Sequence, residues 1–138
     1  MLAPTGEELF RNPIVLRAIE EAWRESLPSD SHRRHEEGGW IYAESTAGEI
    51  AVRRAASGNR NSVNLSRPEI VFGSMVIGTF HTHPNPSDEG WEPGPSARDL
   101  KFAFRNGIPC LIRSDMGIST TGPEIRRGGM TGEAGYPE

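Results

Sequence analysis

The sequence predicts a single α/β domain, a mixed β-sheet flanked by helices. Three observations lead there. Apolar residues recur at helical spacing near the start of the chain, with Val15, Leu16, Ile19, Ala22 and Trp23 on one face. An apolar run from Val71 to Phe80 reads as a buried strand. Helix, strands, helix and strand then follow in an order that suits helices packed on a mixed sheet. The chain has 138 residues, long enough for one core and too short for two.

Asn12-Pro13 opens the first helix, because Asn caps and Pro at the first helical position loses no hydrogen bond. Pro28 closes it, and residues 29 to 35 form a polar connector. Gly38 to Ala43 is the first strand, and Glu49 to Arg53 its hairpin partner across a turn near Gly48. Residues 57 to 68 are rich in Ser, Asn and Arg and form a loop. The strand from Val71 to Phe80 runs straight into His81-Thr82-His83-Pro84. Residues 84 to 95 are Pro- and Gly-rich and form a second loop. Ser96 to Arg105 is the second helix, with Leu100, Ala103 and Phe104 expected to face inward and Gly107 to stop it. Residues 108 to 113 and 117 to 120 complete the sheet. The domain is expected over residues 1 to 121, with a flexible Gly-rich tail from 122 to 138.

Charge and composition exclude several classes. Net charge is -4, and 14 of the 15 basic residues are Arg. A backbone-driven nucleic-acid binder would carry a basic excess, so no nucleic-acid partner is expected. No apolar run reaches the roughly 20 residues of a membrane span, and the opening MLAPTGEELF lacks the features of a signal peptide. A cytoplasmic protein with no membrane partner is the expectation. The one cysteine, Cys110, can form neither an internal disulfide nor a multi-Cys zinc site. It reads as a buried strand thiol.

His81 and His83 carry the chemistry. Residues two apart on a strand share one face, so two imidazoles point into one volume and suit a divalent metal. Catalytic zinc takes three protein ligands plus water. Asp99, in Ser96-Ala97-Arg98-Asp99, is the candidate third ligand, although Ser-x-x-Asp is also a capping-box-like helix start. The two roles are compatible. A proton acceptor is also needed. Glu36 precedes Gly38-Gly39, where missing side chains permit close backbone approach. Glu37 is the alternative.

Glu36-x-Gly38-Gly39, then His81-Thr82-His83-Pro84, then Ser96-x-x-Asp99 resembles the JAMM motif of the JAB/MPN zinc metalloproteases, bacterial type. The resemblance covers roughly residues 12 to 120. It implies a JAB/MPN-like sheet, Zn²⁺ held by His81, His83 and Asp99, Glu36 as general acid/base, and Ser96 as a stabiliser of the tetrahedral intermediate. Zinc lowers the pKa of its water to about 7, which is the chemistry such a site needs. One departure stands out: residues 84 to 95 separate His83 from Ser96, a longer spacing than is usual in the family. Insertions in such a loop cost little.

The resemblance implies a zinc-dependent hydrolase that cuts a peptide or isopeptide bond after the Gly-Gly end of a ubiquitin-like or sulfur-carrier protein. An extended tail would add along a sheet edge near the zinc, with Trp91 in the lining. Ile125-Arg126-Arg127-Gly128-Gly129-Met130 in this chain resembles such a cleavable end. The rival from another class is a non-catalytic MPN-type scaffold or peptide-binding module. A zinc nucleobase deaminase needs Cys-x-x-Cys, which one cysteine excludes. A cupin wants a His further downstream, and Pro84-Asn85-Pro86 breaks a metallo-β-lactamase pattern.

Overall fold

The computed structural model describes residues 4–91 and 93–123. Among these, three α-helices and one short 3-10 helix surround a five-stranded sheet in which all but one of the strand pairings are antiparallel. The α/β expectation holds. The helices are α1 (Gly6–Phe10), α2 (Pro13–Glu25) and α3 (Ala97–Asn106). The strands are β1 (Gly38–Glu44), β2 (Ile50–Arg54), β3 (Ser74–Thr82), β4 (Cys110–Ser114) and β5 (Gly117–Thr121). Their order across the sheet is β2-β1-β3-β4-β5, with β3 and β4 parallel through the α3 crossover. No helix among the described residues is long and apolar enough to cross a membrane.

α2 starts as its sequence demands. The Asn12 side chain accepts from the N–H groups of Ile14 and Val15, and Pro13 occupies the first turn. The helix ends at Ser26, and Leu27 takes a left-handed conformation, φ 52°. Val15, Ile19 and Ala22 are buried, together with Leu9 of α1, against Ile41, Ala43, Ile77, Phe80 and Leu111. α1 was not anticipated. Its signal is Thr5-x-x-Glu8, and the structure forms the full capping box there.

The opposite face of the sheet carries Trp40, Tyr42, Val76 and Ile108 under Leu65 and Phe102, and beside them Ala103, Cys110 and Ile112. Leu65 comes from the 57–68 loop, whose carbonyl at that residue accepts the Trp40 indole N–H at 3.0 Å. α3 buries Ala103 as expected, but Leu100 and Phe104 are 46% and 58% exposed. Phe102 turns inward instead. The helix reaches the sheet through Asp99, Phe102 and Ala103, a face rotated from the purely apolar reading. Asp99 lies on this inward face, against the two histidines.

One irregularity in β3 decides which face the histidines take. Ile41 pairs with Gly78 and Tyr42 with Val76, so Ile77 is the extra residue of a β-bulge. Val76 faces the Trp40 side, whereas Ile77 and Phe80 both face α2. Past the bulge the alternation is inverted. The predicted strand also shifts: it begins at Ser74, with Phe72 exposed ahead of it, and extends through His81 and Thr82. Residues 124 to 138, including the Gly-Gly segment at 125 to 130, lie outside the described residues.

Candidate metal centre

The sheet brings the site together where β1, β3 and β4 lie side by side. Gly38 pairs with His81, and His81 with Ile112. A Cβ at Gly38 would come within 2.5 Å of the Phe80 carbonyl oxygen and 3.0 Å of the His81 Cβ. Glycine is therefore required for β1 to approach the histidine strand this closely.

His81 and His83 project to the same side, with their Nε2 atoms 3.1 Å apart. Asp99 meets both. Its Oδ1 lies 3.2 Å from His81 Nε2 and its Oδ2 lies 3.2 Å from His83 Nε2. Glu36 closes the group from the segment just ahead of β1. Glu36, His81 and His83 each offer a ligand atom within 4.8 Å of the others, and together they can hold a metal ion. All four residues, with Ser96, line one cleft of about 360 Å³. Glu36, His81, His83, Ser96 and Asp99 thus reach the same place, and Glu37, the alternative to Glu36, does not.

Asp99 serves two purposes. Ser96 Oγ accepts from the Asp99 N–H at 3.1 Å, and Asp99 Oδ2 accepts from the Ser96 N–H at 2.8 Å. This capping box starts α3 and also fixes the carboxylate toward the imidazoles. Burial works to raise the Asp99 pKa, but His81, His83 and the Ser96 N–H outweigh it and hold the carboxyl well below the usual range. It is ionised at any ordinary pH.

Burial would lower the His81 pKa. The Cys110 sulfur and the Asp99 carboxylate reverse that and raise it well above the ordinary imidazole value. Cys110 Sγ lies 3.5 Å from His81 Nδ1. That contact engages Nδ1 and leaves Nε2 facing the cleft and Asp99. Cys110 is the buried strand thiol that the sequence predicts, but its contact with His81 was not foreseen. Which strand lies beside β3 is not written in the neighbourhood of Cys110. His83 Nδ1 is buried without a hydrogen-bond partner.

Glu36 and Glu37 are separated by environment. Burial raises the Glu36 carboxyl above its ordinary value, against the pull of His81 and His83. Glu37 turns to the α2 side. There its carboxylate accepts from Arg54 Nη2 at 2.7 Å, lies 2.6 Å from His35 Nε2, and accepts from the Ser57 hydroxyl. Burial alone would raise its pKa, but these bonds win and lower it. Glu37 is thus a structural carboxylate.

Two loops, with Arg98 and Phe102 of α3 and Cys110 of β4, build the rest of the cleft. Asn61, Ser62, Val63 and Leu65 come from the first, and Asn85 and Trp91 from the second. The Asn85 side chain donates to the Asn61 side chain at 3.1 Å and ties the loops together. Asp115 Oδ2 accepts from both the backbone N–H and the hydroxyl of Ser87, which pins the second loop to the β4–β5 turn. No protein-family model, no curated protein and no solved structure matches the chain.

Proposed function

We propose that the chain is a zinc-dependent hydrolase of the JAB/MPN type. In this reading it cuts a peptide or isopeptide bond after the Gly-Gly end of a ubiquitin-like or sulfur-carrier protein, in a cytoplasmic setting. One observation carries the reading: Glu36, His81, His83 and Asp99 converge on a single cleft.

The donor spacing supports zinc as the ion. Zinc–nitrogen and zinc–oxygen bonds of about 2.0–2.1 Å place neighbouring donors of a tetrahedron about 3.3 Å apart. Here the two imidazole Nε2 atoms are 3.1 Å apart, and each lies 3.2 Å from a different oxygen of the Asp99 carboxylate. Two imidazoles and one carboxylate also leave a coordination position open, as catalytic sites require. When bound, the ion supplies Lewis acidity, which makes a water acidic enough to react near neutral pH and polarises the carbonyl.

The protein's own groups do the rest. Glu36 is close to both imidazoles and its pKa is raised, which suits a group that takes a proton and returns it to the leaving amine. The Ser96 hydroxyl accepts from Asp99 and keeps its own hydrogen to donate toward a developing oxyanion. β3 is paired on both sides at His81, and the edge strands are β2 and β5. In this reading an extended tail lies across the strand ends, between the 57–68 and 84–95 loops, not along a sheet edge.

The test is cleavage of a panel of ubiquitin-like and sulfur-carrier fusions, with and without chelator, read by mass spectrometry. Cleavage after Gly-Gly that chelator abolishes and zinc restores is the expected result. A zinc-loaded chain that cleaves nothing on the panel would overturn the reading in favour of a non-catalytic module.

A further inference from the structure

We propose that Thr82, the residue between the two histidines, is a positioning residue that sets Glu36 against the imidazole pair. The inference rests on Glu36 being the proton acceptor of the proposed reaction. Strand alternation turns the Thr82 side chain away from the cleft, as it turns Glu37 away. Behind the site these two residues are joined. The Thr82 N–H donates to the Glu37 carbonyl at 2.9 Å, and the Glu37 N–H donates to Thr82 Oγ1 at 3.0 Å.

The Thr82 hydroxyl is in turn fixed. Ser26 Oγ lies 2.5 Å away and spends its own hydrogen on the Ala22 carbonyl at 2.8 Å. Thr82 therefore donates to Ser26 while accepting from Glu37. Thr82 is fully buried and Ser26, at the end of α2, equally so. No water competes for these bonds, and the arrangement has one solution.

The consequence reaches Glu36 through one peptide unit. The N–H of Glu37 belongs to the peptide that carries the Glu36 carbonyl. That carbonyl accepts from the Gly58 N–H at 2.9 Å, and the Glu36 N–H donates to the Asn59 carbonyl at 2.7 Å. Two backbone bonds to Glu36 itself, and the Thr82 hydroxyl on the peptide that follows it, thus hold the Glu36 backbone from both sides. The hydroxyl is the one link that comes from the histidine strand by a side chain.

The experiment compares Thr82→Val and Thr82→Ala, which remove the hydroxyl, with Thr82→Ser, which keeps it. In either hydroxyl-free variant kcat should fall about 10–100-fold, the range usual for lost outer-shell partners, with KM nearly unchanged. Thr82→Ser should restore kcat. Added to Glu36→Gln, Thr82→Val should lower kcat no further, because residues that act through one another are not additive. The same cycle read on zinc affinity needs no substrate. Glu36→Gln should weaken zinc binding in the parent chain, and by a smaller factor once Thr82→Val is present. A parent chain inactive on every substrate would overturn the hydrolase reading, and the zinc cycle would then decide the positioning role alone. Parental kcat in a folded Thr82→Val variant, or full additivity with Glu36→Gln in both readouts, would overturn the inference.

Discussion

Glu36 and Glu37 are adjacent in the chain and face opposite sides of the sheet. The first lines the cleft beside His81 and His83, and the second is locked to Arg54, His35 and Ser57. Their substitutions should therefore fail in different ways. Glu36→Gln is expected to lower turnover by about 10²–10⁴-fold, the usual weight of a general acid/base. It should still bind one zinc, more weakly than the parent chain, and keep the parental melting temperature in the absence of zinc. Zinc titration and unfolding curves on the same preparation check this.

Glu37→Gln should instead change stability and its pH dependence. The folded-state pKa of Glu37 is lowered from its ordinary 4.5. A depressed carboxylate contributes stability that is complete above the unfolded pKa and is lost as pH falls through the folded one. The parent chain should thus lose stability on acidification below about pH 4.5 more steeply than Glu37→Gln does. Denaturant midpoints measured from pH 7 to pH 3 read the difference. Parallel curves would count against the role given to this carboxylate.

Acid should release the metal. Protons compete with zinc for His81 and His83, and the raised His81 pKa widens the pH range of that competition. Asp99 stays ionised throughout, so the loss belongs to the imidazoles. Zinc content after dialysis at pH 5 should be well below that at pH 7.5. Equal content would contradict a two-histidine site.

Ser96→Ala removes the cap of α3 and the hydroxyl of the cleft together. Loss of a Ser cap costs about 1 kcal/mol, or a fall in Tm of about 2–8 °C for a domain of this size class. Turnover should fall by more than this cost explains, since Asp99 also loses its hydroxyl acceptor. Ser96→Asp should recover the melting temperature but not the turnover. That split separates the cap from the chemistry.

Gly38→Ala tests the closeness of β1 and β3. The added Cβ meets the Phe80 carbonyl and the His81 Cβ, and backbone cannot swing aside as a side chain does. Overpacking of this kind costs about 1–3 kcal/mol. Zinc affinity should fall together with the denaturant midpoint, because His81 is the residue displaced.

Much of this protein is local and could be read from the chain. Asn12-Pro13 starts α2, Ser96-x-x-Asp99 starts α3 and Gly107 ends it, because caps and breakers act within one turn. His81, His83, Ser96 and Asp99, with one carboxylate of the Glu36-Glu37 pair, were also legible as candidates, since residue types and order do not depend on packing. The Thr5-x-x-Glu8 cap of α1 is equally local, but five residues carry no helical periodicity to mark the helix that follows. Leu100 and Phe104 misled because hydrophobic spacing alone ignores what a helix must deliver to a site, here Asp99.

Facing is what the sequence left open. Glu36 or Glu37 could have been the cleft carboxylate, and a period of two offers both answers until the register is known. Ile77 makes the point sharply. An unbroken alternation from Val76 would send His81 and His83 toward α2, and the bulge opposite Ile41 and Tyr42 turns them to the Asp99 side. The bulge exists because β3 pairs with β1, a strand some 35 residues earlier in the chain. Cys110 reaches His81 for the same kind of reason, through the parallel pairing of β3 with β4. The sequence by itself determined which groups are present and where helices begin. The tertiary structure decided which side of the sheet each group occupies, because strand register is a property of two segments and is contained in neither.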